Sequence, residues 1–300
     1  MKTFLISVKR NTKLFFKDKG LFFTSLITPL ILLVLYATFL SNVYKDSFNA
    51  VFNSFNVTVD KKLMNGLVGG QLMSSLLAVS CVTVSFCSNM LMVHDKVSGA
   101  RSDMLITPAK RSILAFSYYV STTISTLIIC VLALGASLVY VGVTGWYLSF
   151  GDVMMLLLDV VILVTFGTAL SSVINYFLSS QGQISAVGSI VSSCYGFICG
   201  AYMPLASFGE GLRNAVMFLP GTYGTSLIRN HSLNGVMTEL ASSGLPEQAI
   251  TGLKDSIDCN LYFFDGRVET WVSYLVVLGS IAILLGAYVF INVLSKGKKK

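Results

Sequence analysis

Long apolar runs, separated by short charged connectors, constrain this chain more than any other feature. Six of them occupy positions 21–40, 67–93, 113–143, 153–176, 184–203 and 271–293. A helix of about 20 apolar residues crosses the roughly 30 Å hydrocarbon layer of a bilayer. Lipid offers a backbone no water to bond, so the helix, which satisfies its amides within one segment, is the expected form. The second and third runs are long enough to tilt or to extend into water. None of the short alternating strands of a barrel is visible. Of the 300 residues, 54% are hydrophobic and 12% charged, against roughly 25% charged in soluble domains. A soluble core could not hide that much apolar surface. An ordinary cytosolic enzyme, a disulfide-rich secreted domain and a disordered chain are excluded. The expectation is an all-α membrane protein with six transmembrane helices in one domain over residues 1–300.

Orientation follows from the basic residues. Fourteen Lys and Arg fall in the N-terminal segment, the 93–113 and 177–183 connectors and the C-terminal tail, and seven fall on the other side. Basic residues accumulate on the cytoplasmic side, so both termini are expected there in a multi-pass protein of the cell membrane. The net charge of +7 is then topological, and nucleic-acid binding is not needed to explain it. The first run is too long for a signal peptide and no small-x-small site follows Leu40, so it is expected to be retained.

Three connecting segments have structure of their own. Residues 1–20 place Phe15 and Phe16 among Lys9, Arg10 and other cations. This spacing predicts a basic amphipathic helix lying on the inner membrane surface; a merely positive flank that sets topology is the alternative. Residues 95–111 form a charged segment of helical propensity ended by Thr107-Pro108. The longest extramembrane piece, 204–270, begins with an apolar stretch that predicts short re-entrant helices in the outer leaflet between spans 5 and 6. A basic tail, 294–300, follows the last span.

The chemistry absent from the sequence narrows the function. It has two histidines, His94 and His231, placed on opposite sides of the membrane, and no HExxH or CxxC spacing. A metal site is therefore not expected. There is no GxSxG elbow and no GxxxxGK[ST] phosphate loop, so the chain is not expected to carry catalytic residues or its own ATPase site. Of six cysteines only Cys259 falls outside the apolar runs, which excludes a disulfide framework. Asp159 is the one ionisable residue deep in a run, a position that costs a few kcal/mol. It fits either a polar pathway or a pairing across helices near a wet outer vestibule. Gly196 and Gly200 form a GxxxG, which serves either a dimer contact or packing within the chain. Pro29 should kink the first span.

The segment His94-Asp95-Lys96-Val97-Ser98-Gly99-Ala100-Arg101-Ser102-Asp103-Met104-Leu105-Ile106-Thr107-Pro108-Ala109-Lys110-Arg111 resembles the cytoplasmic loop of type-2 ATP-binding-cassette (ABC) exporter permeases. Those proteins carry an acidic, basic, Gly, Leu-Leu-x-Thr/Ser-Pro pattern and then a basic residue. Met203-Pro204, Phe218-Leu219-Pro220-Gly221-Thr222-Tyr223 and Arg229 resemble the family's segment after the fifth span. Ser98 and Ser102 stand where the family often has Glu, and Leu219 where it has Asn.

The resemblance implies a transport subunit without an ATPase site of its own. Two copies of a separate ABC ATPase would hold ATP and Mg2+, and the permease would be a homodimer or paired with a related permease. The 95–111 segment would be the coupling helix, with Asp95, Lys96, Gly99, Arg101, Asp103, Met104, Leu105, Pro108 and Arg111 as its contact residues. Lys9, Arg10, Phe15 and Phe16 would belong to an interface helix beside it. Pro29, Gly196 and Gly200 would serve helix packing or the dimer, and Pro204, Pro220, Tyr223 and Arg229 the re-entrant segment. The expected cargo is an amphipathic drug, peptide or lipid. A non-transporting membrane protein, such as an immunity or sensor component or a membrane-embedded enzyme, is the alternative.

Overall fold

The computed structural model describes residues 2–54, 57, 59–106, 110–264 and 266–294. Its organising element is α4 (Lys61–Val97), whose side chains are buried almost without interruption from Leu63 to Asn89. A helix apolar on every side has no single core-facing stripe and is stable only when surrounded. α4 is surrounded by α2 (Lys19–Leu35), α6 (Arg111–Thr144), α7 (Phe150–Phe177), α8 (Gln181–Ile198) and α10 (Pro220–Ser242). Three of its small polar residues bond back to the preceding turn. Ser74 donates to Gln71 O at 2.7 Å, Thr83 to Val79 O at 2.9 Å and Ser85 to Cys81 O at 2.7 Å.

Among the described residues, five helices are long and apolar enough to cross a membrane: Lys19–Asn53, Lys61–Val97, Arg111–Thr144, Phe150–Phe177 and α12 (Thr270–Leu294). The first does not stop at Leu40 as expected. It passes through a π-helical turn at Tyr36–Leu40 into α3 (Ser41–Ser54). Pro29 is buried within α2.

The run at 184–203 becomes α8, an 18-residue helix about 27 Å long. It ends five residues before Met203 for a local reason. Gly200 takes φ +73, a left-handed conformation that costs other residues about 1–2 kcal/mol. The Ala201 amide then bonds Gly196 O at 2.9 Å and the Gly200 amide bonds Phe197 O at 3.2 Å, the paired bonds of a Schellman stop. A Cβ on Gly196 would run into the Tyr202 ring of the same chain. Both glycines thus have work inside the chain.

The segment from 204 to 270 is more regular than expected. A 3-10 turn (Leu205–Ser207) and α9 (Glu210–Val216) are short, but α10 is a single 23-residue helix with Pro220 in its first turn. It runs past Arg229 because Leu233, Val236, Met237 and Leu240 continue its buried face. α11 (Glu247–Ser256) follows, then an antiparallel hairpin of β1 (Leu261–Phe263) and β2 (Gly266–Val268). The hairpin is a small addition to a chain that is all-α in the main, as expected, and its three-residue strands are too short to show alternation.

Candidate functional site

At one end of the bundle, α1 (Lys2–Lys17) lies along α6. Phe4 stacks on Phe116 with ring centroids 5.7 Å apart, and Val8, Asn11 and Phe15 are buried. Phe15 meets Phe16 and Phe22 at the turn into α2. Leu5 and Ile6 stay exposed, so the helix keeps an apolar edge of its own, as an interfacial helix does.

The junction of α1 with the bundle is ionic. Arg10 donates from Nη1 to Asp95 Oδ2 at 2.6 Å and from Nη2 to Asp95 Oδ1 at 3.3 Å. Tyr118 donates its hydroxyl to the same Oδ2 at 2.6 Å. The hydrogen bond to Asp95, against the opposing cost of partial burial, pushes the Arg10 pKa above its ordinary value. One carboxylate on α4 therefore holds α1 and α6 together.

Immediately after α4, Gly99 adopts φ +86, and a Cβ placed on it would meet nothing within 4 Å. Backbone conformation, and not space, selects glycine there. The turn launches α5 (Ala100–Ile106). Its residues divide into two sets. Met104 and Leu105 are half-buried against Met92, Leu114, Tyr118, Tyr119 and Tyr288, and Arg101 donates to Asn292 Oδ1 at 3.1 Å. Lys96, at the end of α4, donates to Tyr176 O at 3.0 Å and Leu178 O at 2.7 Å. Facing outward are Ser102, Asp103 and Ile106, the last 85% exposed.

Asp95, Lys96, Arg101, Met104 and Leu105 all make contacts within their own chain, beside Tyr118 and Tyr176. Pro108 lies outside the described residues, and Arg111 opens α6. Tyr118, Tyr176 and Asn292 were missed, since a tyrosine or asparagine in an apolar run carries no positional signal.

A groove runs between α2–α3 and α8. One part is a cavity of about 900 Å³ with Leu35, Phe39 and Phe197 in its wall. The other, of about 650 Å³, reaches Asp18, His94 and Gln181. Ile27, Thr28, Ser192 and Ser193 line both, so the two are continuous.

The half of the bundle away from α5 is pinned by a buried carboxyl group. Asp159 receives the Tyr274 hydroxyl on Oδ1 at 2.6 Å and meets His231 Nδ1 on Oδ2 at 2.6 Å. It joins α7, α10 and α12 and is 2% exposed. Burial opposes a charge on His231, yet the Asp159 hydrogen bond, with attraction from Asp159 and Asp152, raises its pKa above the usual value. A raised folded value means stability is fully present below the unfolded pKa of about 6.5 and lost as pH rises through the folded value. The melting temperature of the purified protein should therefore fall between pH 6 and 9, and the fall should be shallower in His231→Gln.

Arg229, 1% exposed, ties α10 to the end of α8 and to the segment after α11. It donates to Ile257 O at 2.8 Å, Gly200 O at 2.8 Å and Asp258 Oδ2 at 3.3 Å. Asp258 also accepts from the Leu205 amide, just past Pro204, at 2.8 Å. Tyr223 donates to Met217 O at 2.8 Å, fixing the turn before Pro220. Among the described residues no cluster of three His, Cys, Asp or Glu could hold a metal ion, and all six cysteines are free thiols.

One family model, described as "ABC-2 type transporter", matches residues 2–231. This range takes in α1, the groove helices, α5 and Arg229. No curated protein matches the chain.

Proposed function

We propose, from the premise that the chain belongs to the ABC-2 type transporter family, that it is the membrane subunit of an ATP-driven exporter. In this reading residues 1–300 are one permease domain. α8 serves as a sixth spanning helix, placed fifth in order, and both termini are cytoplasmic. Two ABC ATPase subunits bind ATP and Mg2+ and supply the energy, and the outer face of α5 docks on one of them. A second copy of the chain, or a related permease, covers the α2–α8 groove, while Pro29, Gly196 and Gly200, buried behind its lining, set the course of α2 and the end of α8. The enclosed path has an apolar wall broken by Thr28, Ser192 and Ser193, which suits an amphipathic cargo.

The observation that carries this reading is the Asp95 junction. Asp95 lies four residues before Gly99 and α5, and it holds Arg10 of α1 and Tyr118 of α6. Motion imposed on α5 is thereby passed to the surface helix and to a spanning helix together. Arg10→Ala removes the α1 end of this link. Hydrogen bonds to charged groups contribute about 1.5–3 kcal/mol, and the lower part of that range fits a guanidinium 35% exposed. The variant should fold and retain the ATPase, while cargo-stimulated ATP hydrolysis in proteoliposomes falls several-fold. Undiminished stimulation would remove α1 from the coupling path.

A further inference from the structure

A second polar site lies on the α12 side of the bundle, away from the α2–α8 groove. It is a cavity of about 300 Å³ among the ends of α4, α7 and α12, with α5 and the start of α6 closing it. Lys96, Arg101 and Arg111 line it together with Ser102, Tyr176 and Asn292. Three cations thus converge, and among the described residues no acidic one lines the space. The nearest buried carboxylate, Asp95, is engaged by Arg10 and Tyr118, and Asp103 is exposed outside it.

The cations are held in place. Lys96 is fixed by the two carbonyls at the end of α7 and Arg101 by Asn292, and both stand on the Tyr176 ring, 5.8 and 5.9 Å from its centroid. A fixed pair of like charges is relieved by an anion. The space corresponds to roughly ten waters, enough for a phosphate with a small alcohol attached.

The walls beside the cavity narrow the ligand further. Phe177 at the end of α7 and Phe290, Val293 and Leu294 in the last turns of α12 are all exposed apolar side chains. Polar donors in a pocket at the ends of two spanning helices that also carry exposed apolar side chains match an amphiphile. Basic pockets between transmembrane helices on the cytoplasmic side take anionic lipid head groups. We propose that this pocket holds the phosphate head group of an anionic phospholipid, whose acyl chains lie against α7 and α12. The site rests on the membrane placement above and is independent of ATPase docking. Since Arg101 and Leu105 of α5 border it, a bound lipid would set the position of the helix proposed to meet the ATPase.

The test uses the full-length chain, purified without any ATPase, and native mass spectrometry of lipid retention. Phosphatidylglycerol should be retained over phosphatidylcholine. Arg101→Gln should weaken that retention by a factor of about five, the effect of one basic residue at an anionic surface. Ser102→Glu, an added negative charge at an exposed position, should weaken it as well and guards against a folding defect in the first variant. Arg101→Lys should keep most of the preference. Equal retention of the two lipids, or full retention in both charge-altering variants, would overturn the proposal. Displacement by free glycerol phosphate at matched concentration would overturn the lipid source and assign a soluble phosphate ligand.

Discussion

Arg229→Ala should be among the most damaging single substitutions in the chain, at about 3–5 kcal/mol, the cost of leaving a buried charge without its partner. The side chain bonds two carbonyls and one carboxylate, and these lie on segments far apart in sequence. Removing it strands Asp258, already held above the ordinary carboxylate range because burial outweighs the attraction of Arg229. Without Arg229 that pKa rises further. An acid with a raised folded pKa binds its proton more readily when folded, so stability is gained as pH falls through that value. The deficit of Arg229→Ala should therefore shrink between pH 7.5 and pH 5. Arg229→Met with Asp258→Asn should recover part of it at neutral pH, because the stranded charge is gone. Thermal melting in detergent reads both effects, and a pH-independent deficit would mean that lost packing, and not the carboxylate, dominates.

The second large effect is expected from a single methyl group. A Cβ on Gly235 would overlap the carbonyl oxygen of Tyr147, where the connector between α6 and α7 crosses α10. The obstacle is backbone and cannot rotate away. Gly66 and Gly145 close the same crossing, with Cβ positions 2.7 Å from the Tyr147 ring and 2.9 Å from Lys62 O. Gly→Ala inside a helix gains about 1 kcal/mol in propensity, whereas overpacking costs about 1–3 kcal/mol or more. Here the clash wins, and Gly235→Ala should lower the melting temperature and the yield of monodisperse protein. Gly279→Ala in α12, with nothing within 4 Å, should be neutral or stabilising. Equal behaviour of the two variants would contradict the crossing.

These two residues also mark how far the sequence could be read. Periodicity and run length placed the five long apolar helices and α1, since lipid and a fixed helical rise leave few options. Helix ends were poorly legible. Lys19–Asn53 continues past its apolar part into Ser41–Ser54, and α8 stops at a glycine whose left-handed φ no composition reveals. α10 was obscured because Arg229, His231 and Asn234 break its apolar pattern, and each has a partner supplied by a distant element. Residue types in the 95–111 segment located the loop correctly. Their direction was not legible, because whether a charge faces a partner or its own chain depends on Tyr118, Tyr176 and Asn292, brought there only by folding.

The central claim is that the outer face of α5 engages an ABC ATPase. Ile106, 85% exposed, tests it most directly, because its removal disturbs none of the contacts that hold α5 to the bundle. Burying such a side chain at a contact is worth about 1.5–3 kcal/mol, and 1.4 kcal/mol is about one decade in affinity. The measurement is the dissociation constant between the reconstituted chain and its co-produced ABC ATPase, compared for wild type and Ile106→Asp. The account predicts binding weakened more than tenfold, with expression and melting temperature unchanged. Wild-type affinity in Ile106→Asp, or no measurable binding by the wild-type chain, would contradict it.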